Sequence, residues 1–224
     1  MNNKTYKLTD TNGKTSEIPL REGTLGPGTL DIGGLYKDHG VFTFDPGFVS
    51  TASCESKITF IDGEKGVLLY RGYPVEQLAE KSSFLEVAYL ILYGELPNKP
   101  QLESFTGSIR RHSMVNEAVL RFFSGFHYDA HPMAMLTAVV GSLSAFYHDS
   151  TDVHNLRHRE VFAHRIIAKL PTLAAAVYKH GIGQPLVYPK NELNYCANFL
   201  NMLFSVPTEL YKVDPVAAKA LDLL

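Results

Sequence analysis

The chain has 224 residues, of which 45% are hydrophobic and 20% charged, a mixture typical of globular proteins and not of disordered ones. The formal net charge is −2, so no overall field recruits nucleic acid or an anionic membrane. Two cysteines are too few for a disulfide framework, and residues 1–4 resemble neither a secretory leader nor a transit peptide. We therefore expect a cytoplasmic protein.

The first seventy residues show the patterns of β-hairpins and loops. Residues 5–9 and 15–20 flank Asn12-Gly13, and both turn residues accept a positive φ. A second hairpin is expected where residues 57–61 meet residues 67–70 across Asp62-Gly63. We predict a small β-rich region over residues 1–70.

Helical patterns begin at Tyr73 and run to the end of the chain. Pro74 suits the first turn of a helix over residues 75–81, and Ser83 with Glu86 has the spacing of a capping box. Asn98 can cap the next helix. Residues 71–224 therefore read as a large helical domain, and the fold class is mainly α.

Two apolar segments in the middle of the chain stand out. Residues 133–147 are apolar or small nearly all round, and a helix without a polar face must be covered on every side. Residues 156–179 form a second helix, which Pro171 should kink or split. These helices could pack across an interface between identical subunits, or equally well as an ordinary buried pair within one chain.

The apolar segments do not suggest a membrane protein. The longest apolar run, residues 133–140, is too short to span a bilayer.

Asp214-Pro215 begins a helix that stops at Leu223-Leu224 without a cap. From this ending we expect a truncated or cleaved chain, the alternative being a docked natural C-terminus.

Several motifs are better explained by structure than by function. Gly26-Pro27-Gly28 lacks the third glycine and the following helix of a dinucleotide loop. His154 and His158 have helical spacing, but neighbouring cations disfavour a metal. We expect Cys54 and Cys196 to be buried as small hydrophobic residues.

One basic cluster could bind an anion. Arg110, Arg111, His112 and Ser113 fall between two predicted helices, where cations can meet the exposed N–H groups of the following helix. A later basic pair at helical spacing, Arg165 and Lys169, could converge on the same ligand. The alternative, a solvated charged surface, is the more common outcome for such clusters.

Long collinear motifs extend over essentially the whole chain. The longest are residues 42–48 (FTFDPGF) and 50–63 (STASCESKITFIDG). Shorter ones follow at residues 70–73 (YRGY), 86–89 (EVAY), 131–134 (HPMA), 145–150 (AFYHDS), 182–185 (IGQP) and 198–202 (NFLNM). In these motifs the chain resembles the N-terminal part of type II citrate synthases, the hexameric enzymes of many Gram-negative bacteria.

This resemblance implies a citrate synthase-like large helical domain preceded by a small N-terminal β region. It implies a dimer formed through the helices near residues 132–148 and 156–179, and a hexamer made of three dimers. The implied reaction condenses acetyl-CoA with oxaloacetate to citrate and CoA, without a cofactor. The family's catalytic histidines and aspartate lie downstream of Leu224, so the resemblance assigns no catalytic residue to this chain.

The resemblance also implies an allosteric site for NADH. The positions matching the nucleotide site of NADH-inhibited members are Arg111, His112, Ser113, Met114, Tyr147, Arg165, Lys169 and Asn191. Thr208 occupies a position where some members have a reactive cysteine, so we expect no thiol-based control. Two alternatives stay open: a non-catalytic binding or assembly module, and a 2-methylcitrate synthase.

Overall fold

A computed structural model describes residues 4–224 as two compact units, which divide between Val75 and Glu76. The first unit contains all the paired strands named below, and the second contains all the helices of eight residues or more. The mainly helical fold preceded by small antiparallel sheets confirms the predicted fold class.

The first unit contains two three-stranded antiparallel sheets, each ordered as the chain runs. The first sheet consists of β1 (Thr5–Thr9), β2 (Thr15–Arg21) and β3 (Thr29–Leu30), and α1 (Leu35–His39) follows it. The second consists of β4 (Thr59–Asp62), β5 (Val67–Tyr70) and β6 (Tyr73–Pro74). Both predicted hairpins are confirmed. The first depends on Gly13, which adopts φ +83° in the turn where Asp10 accepts two backbone hydrogen bonds.

The helices that follow are α2 (Val75–Lys81), α3 (Phe84–Tyr93), α4 (Lys99–His112), α5 (Glu117–Leu120), α6 (Pro132–Ser142), α7 (Leu156–Gly181), α8 (Tyr195–Phe204) and α9 (Pro215–Leu223). Their ends follow local chemistry. Ser83 and Glu86 form the predicted capping box of α3, and Asn98 forms another with Gln101 at the start of α4. Asp214 caps α9.

Helix α7 is the centre of the second unit, because α4, α6 and α8 all pack against it. One buried cluster joins α6 and α7 to the segment after α4, and its members are Val115, Val119, Phe123, Met135, Val139, Leu143, Leu173, Ala176 and Val177. A smaller cluster joins α3, α4 and α7 through Leu85, Phe105, Ile109 and Ala168. Burial of these side chains is the main force that holds the helices together.

Pro171 does not split α7, which is continuous from Leu156 to Gly181. A proline has no N–H, so the Ile167 carbonyl four residues earlier loses its helical partner. The Tyr195 hydroxyl on α8 donates a hydrogen bond to this carbonyl at 2.8 Å. Of the two predicted outcomes, a kink or a split, the split is therefore wrong, and a side chain from α8 supplies the missing donor.

Helix α6 is shorter and less covered than its composition predicts. It ends at Ser142, and a short 3₁₀ turn, Leu143–Ala145, follows it. Met135 and Val139 are buried, whereas Ala134, Thr137, Ala138 and Gly141 are exposed. Among residues 4–224 the expectation of cover on every side is not met, because α6 packs on α7 with one face and leaves these four residues exposed.

Among residues 4–224, only α7 is long and apolar enough to cross a membrane by length and composition. The same test is passed by core helices of helical proteins. In this unit α7 packs against three other helices and carries two buried lysines, Lys169 and Lys179.

Candidate anion-binding site

The predicted basic cluster begins in the last turn of α4, not in a loop. Arg110, Arg111 and His112 complete that turn, and Ser113 follows as its C-cap. Positive side chains are favourable there because the carbonyl end of a helix carries partial negative charge. The following helix, α5, is capped by Asn116 and has four residues. The expected position between two helices was therefore wrong for Arg110, Arg111 and His112, which belong to α4 itself.

Tyr147 lies against two cations from α7. The guanidinium carbon of Arg165 is 4.8 Å from the centre of the Tyr147 ring, and Lys169 Nζ is 4.9 Å from it. Arg165 and Lys169 share a helix face because they are four residues apart. Each is attracted to the negative face of the aromatic ring. Both cations of this i, i+4 pair lie against one ring, and their convergence with the Arg110–Ser113 cluster on a common ligand stays a prediction.

Lys169 connects α7 to the end of α4. Its side chain is 3% exposed, and its ammonium donates hydrogen bonds to the carbonyls of His112 at 2.8 Å and Met114 at 2.5 Å. Burial, and secondarily the charge of Arg165, lowers the pKa of Lys169 to about 8. The ammonium thus satisfies carbonyls that the helix end leaves without partners.

Thr172, one turn further along α7, makes a similar connection. Its hydroxyl donates to the Ser113 carbonyl at 2.9 Å. Three consecutive carbonyls, those of residues 112–114 at the end of α4, are therefore held by two side chains of α7. Since the backbone is fixed from residue 112 to residue 114, the side chains of His112, Ser113 and Met114 are presented from a rigid segment.

Arg165 is paired with the carboxylate of Asp149. Its Nη1 lies 2.5 Å from Asp149 Oδ1, and its Nη2 lies 2.8 Å from Oδ2. Nη1 also donates to the hydroxyl of Ser150 at 2.9 Å. These hydrogen bonds lower the pKa of Asp149, and the Arg165–Asp149 bond raises the pKa of Arg165.

The site is electrostatically positive, and the lowered pKa of His112 is one sign of this. This half-buried side chain has a lowered pKa, first because of burial and then because of the charges of Lys169 and Arg165. His112 is held toward its neutral form, which keeps a hydrogen-bond acceptor and a donor on the ring. Cationic and aromatic groups together suit a ligand that carries both an anion and a planar ring.

The structure brings together six of the eight predicted residues: His112, Ser113, Met114, Tyr147, Arg165 and Lys169. Arg111 lies in the same turn of α4 with an exposed side chain. Asn191 is exposed in the connection between α7 and α8, and no hydrogen bond or ion pair joins its side chain to the others.

Sequence reasoning missed three members of the site: Asp149, Ser150 and Thr172. Asp149 was not assigned to the site, because an acidic residue gives no signal of its partner, which here lies sixteen residues away. Thr172 was not predicted because it lies within the apolar half of α7. Helical spacing was the only available signal, since Thr172 follows Lys169 by three residues on the same helix.

A cleft of about 490 Å³ adjoins the site. Its lining includes Arg110, Ser113 and Thr172, together with the first turn of α8 and residues of α9. Its volume falls in the range of small-molecule pockets. An extended ligand anchored at the basic cluster would therefore have room to continue into the cleft.

The other sequence candidates remain without a ligand role in the described part of the chain. No group of three or more metal-binding side chains is found among residues 4–224. His154 lies before α7 and His158 in its first turn, so they do not share a helix face. Cys196 is buried as predicted, and burial together with Asp222 raises its pKa to about 11, but Cys54 is exposed and the prediction for it was wrong.

Residues 47–224 match the family described as "Citrate synthase, C-terminal domain". The chain is also similar to three solved citrate synthases. The enzyme of Pyrobaculum aerophilum is 31% identical with a TM-score of 0.68, over 96% of this chain and 49% of that one. The enzyme of Thermoplasma acidophilum, in ternary complex with carboxymethyl coenzyme A and oxaloacetate, is 25% identical with a TM-score of 0.73, over 81% of this chain and 46% of that one.

The third structure, the citrate synthase of Thermotoga maritima, is 28% identical with a TM-score of 0.66, over 81% of this chain and 45% of that one. Fold and sequence agree, so this chain belongs to the citrate synthase family. It spans about half the length of the solved structures that it matches.

Proposed function

We propose that this chain is part of a type II citrate synthase, which condenses acetyl-CoA, oxaloacetate and water to citrate and CoA in the cytoplasm. Membership of the family supports the reaction, and so does the Thermoplasma relative, which is bound to carboxymethyl coenzyme A and oxaloacetate. The type II assignment rests on the long motifs of residues 42–63. No residue of this chain is assigned a catalytic role.

In this proposal the chain contributes the small β region over residues 1–70 and the scaffold of the large helical domain over residues 71–224. It self-associates as a dimer through α6 and α7, and three dimers form a hexamer. The exposed face of α6 supports the dimer, because Ala134, Ala138 and Gly141 are small and allow a close approach of another helix. The other face of α6 is already occupied by α7.

The catalytic proposal is tested by measuring CoA thiol release from acetyl-CoA and oxaloacetate. The chain of residues 1–224 should release no thiol above the rate without protein, because the proton-transfer residues are expected outside it. A full-length family member assayed in parallel provides the positive control. Turnover that rises with the concentration of this chain would contradict the proposal.

We further propose that the Tyr147 site binds NADH as an allosteric inhibitor. The observation that carries this proposal is the position of Arg165 and Lys169 against the Tyr147 ring, with His112 nearby. Such a site offers cations to the pyrophosphate and an aromatic face to a ring of the nucleotide. Thr208 in place of cysteine supports regulation without thiol chemistry.

This second proposal is tested by isothermal titration of NADH into the wild-type chain and the Arg111→Ala variant. Arg111 is exposed, so its removal should leave the fold intact and weaken binding by about three- to tenfold. Lys99→Ala is the matched control, because it removes one positive charge from an exposed position at the other end of α4, outside the basic cluster and the cleft. Equal loss in both variants, or no binding to any of the three, would contradict the nucleotide site.

A further inference from the structure

The donors that a ligand would use on Arg165 are already occupied by the protein. Asp149 accepts from both terminal nitrogens of the guanidinium at 2.5 and 2.8 Å, in the fork geometry that carboxylates and phosphates share. Ser150 accepts a further bond from Nη1. An anion approaching this site therefore meets a carboxylate in the position that it needs.

The two partners differ in how firmly they are held. The Arg165 side chain is 15% exposed and lies against the Tyr147 ring, so packing fixes its position. The Asp149 side chain is 65% exposed, and Arg165 is the only side chain among the described residues with which it forms an ion pair. Rotation of Asp149 into solvent would free the guanidinium without disturbing the packing of α7.

We propose that Asp149 is a specificity-determining residue of the anion site, where it acts as an internal competitor that a ligand must displace from Arg165. This inference rests on the proposed nucleotide site. A ligand carboxylate repeats the interaction that Asp149 already makes and gains little. A phosphate or pyrophosphate brings more charge and more acceptor oxygens to the neighbourhood of Arg165 and Lys169, so the site selects phosphate-bearing ligands over carboxylates.

The test is isothermal titration of NADH into the Asp149→Asn variant at constant ionic strength. A neutral amide competes less strongly for the guanidinium, so NADH should bind about fivefold more tightly than to the wild-type chain. Asp152→Asn is the matched control. Asp152 lies three residues away and is exposed, and its Oδ1 accepts from the backbone N–H of His154 and not from Arg165.

The control separates displacement of Asp149 from a general change in net charge. A gain in affinity confined to Asp149→Asn supports the internal competitor. Unchanged or weaker binding to Asp149→Asn, or an equal gain in Asp152→Asn, overturns the internal-competitor proposal. Neither result contradicts the proposed nucleotide site. Absence of NADH binding in all three chains overturns both proposals. Far-UV circular dichroism and the denaturant midpoint should match the wild type, because the replaced side chain is largely exposed.

Discussion

Tyr195 is the residue on which the continuity of α7 depends. Its hydroxyl supplies the donor that Pro171 cannot, and its ring stacks on Phe84 with the ring centres 5.0 Å apart. Burial raises the pKa of Tyr195, so the hydroxyl keeps its proton at neutral pH and remains a donor. One phenol thus satisfies a helix carbonyl and packs against α3.

Replacing Tyr195 with phenylalanine removes the donor and keeps the ring. The Ile167 carbonyl would then lack a partner, and the free energy of unfolding should fall by about 1–2 kcal/mol. Urea unfolding followed by circular dichroism measures the change. Tyr178→Phe on the same helix is the control, since the Tyr178 ring contacts Phe204 and the structure gives its hydroxyl no hydrogen bond. Equal effects of the two substitutions would contradict the role of Tyr195.

At the scale of elements, local chemistry was sufficient for most helix and strand ends. The turns of the two hairpins, the capping boxes at Ser83 and Asn98, and the start of α9 at Asp214 all depend on residues within four positions of one another. Such signals can be read from the sequence because the interacting groups are neighbours along the chain.

The element predictions failed where distant or competing interactions decide. The donor to the Ile167 carbonyl, which Pro171 leaves without a helical partner, comes from α8, and no local sequence pattern predicts it. Helix α6 ends early where Ser142 and Ser144 donate to the carbonyls of Val139 and Gly141, which competes with continued helical bonding. The apolar composition of the segment did not reveal this competition.

The candidate site shows the same division between local and distant information. Helical spacing predicted that Arg165 and Lys169 would lie on one face, and they do. Tyr147 was predicted from the family resemblance, because no pattern of spacing indicated it. Asp149 was not predicted, because the pairing of a loop carboxylate with a helix cation depends on how the loop returns to α7.

At the scale of the whole second unit, two half-buried histidines make stability depend on pH. His164 accepts from Ser108 at Nδ1, 2.9 Å away, and its Nε2 lies 2.8 Å from the Tyr93 hydroxyl, which donates to Glu160. Since Tyr93 donates its own hydrogen to Glu160, Nε2 carries the ring proton and Nδ1 is the acceptor. A second proton on Nδ1 would reverse the bond with Ser108, whose hydroxyl would then accept it, and would place a positive charge on a half-buried ring.

Burial lowers the pKa of both His112 and His164 below the ordinary value of 6.5. The unfolded chain therefore binds protons more readily than the folded one, so stability is complete above about pH 6.5 and decreases as the pH falls below it. We expect a lower urea midpoint at pH 5.5 than at pH 7.5, a window that lies above the ordinary carboxylate range.

The histidine origin of this pH dependence is tested with two variants. His164→Gln removes one of the titrating groups and should reduce the difference between the midpoints at the two pH values. His148→Gln replaces an exposed histidine and should retain the full difference. A wild-type midpoint that does not change over this range, or that increases on acidification, would contradict the assignment.

The two cysteines differ in accessibility, and they lie in different units. Cys54, before β4, is open to solvent, whereas Cys196 is enclosed in α8 with a pKa raised to about 11. A maleimide dye should therefore attach to the β-rich unit alone while the helical unit stays folded. The thiol of Cys196 becomes reactive only when the helices around α8 open. Mass spectrometry that counts the labelled thiols therefore gives the opening rate of the helical unit, and no cysteine has to be introduced or removed.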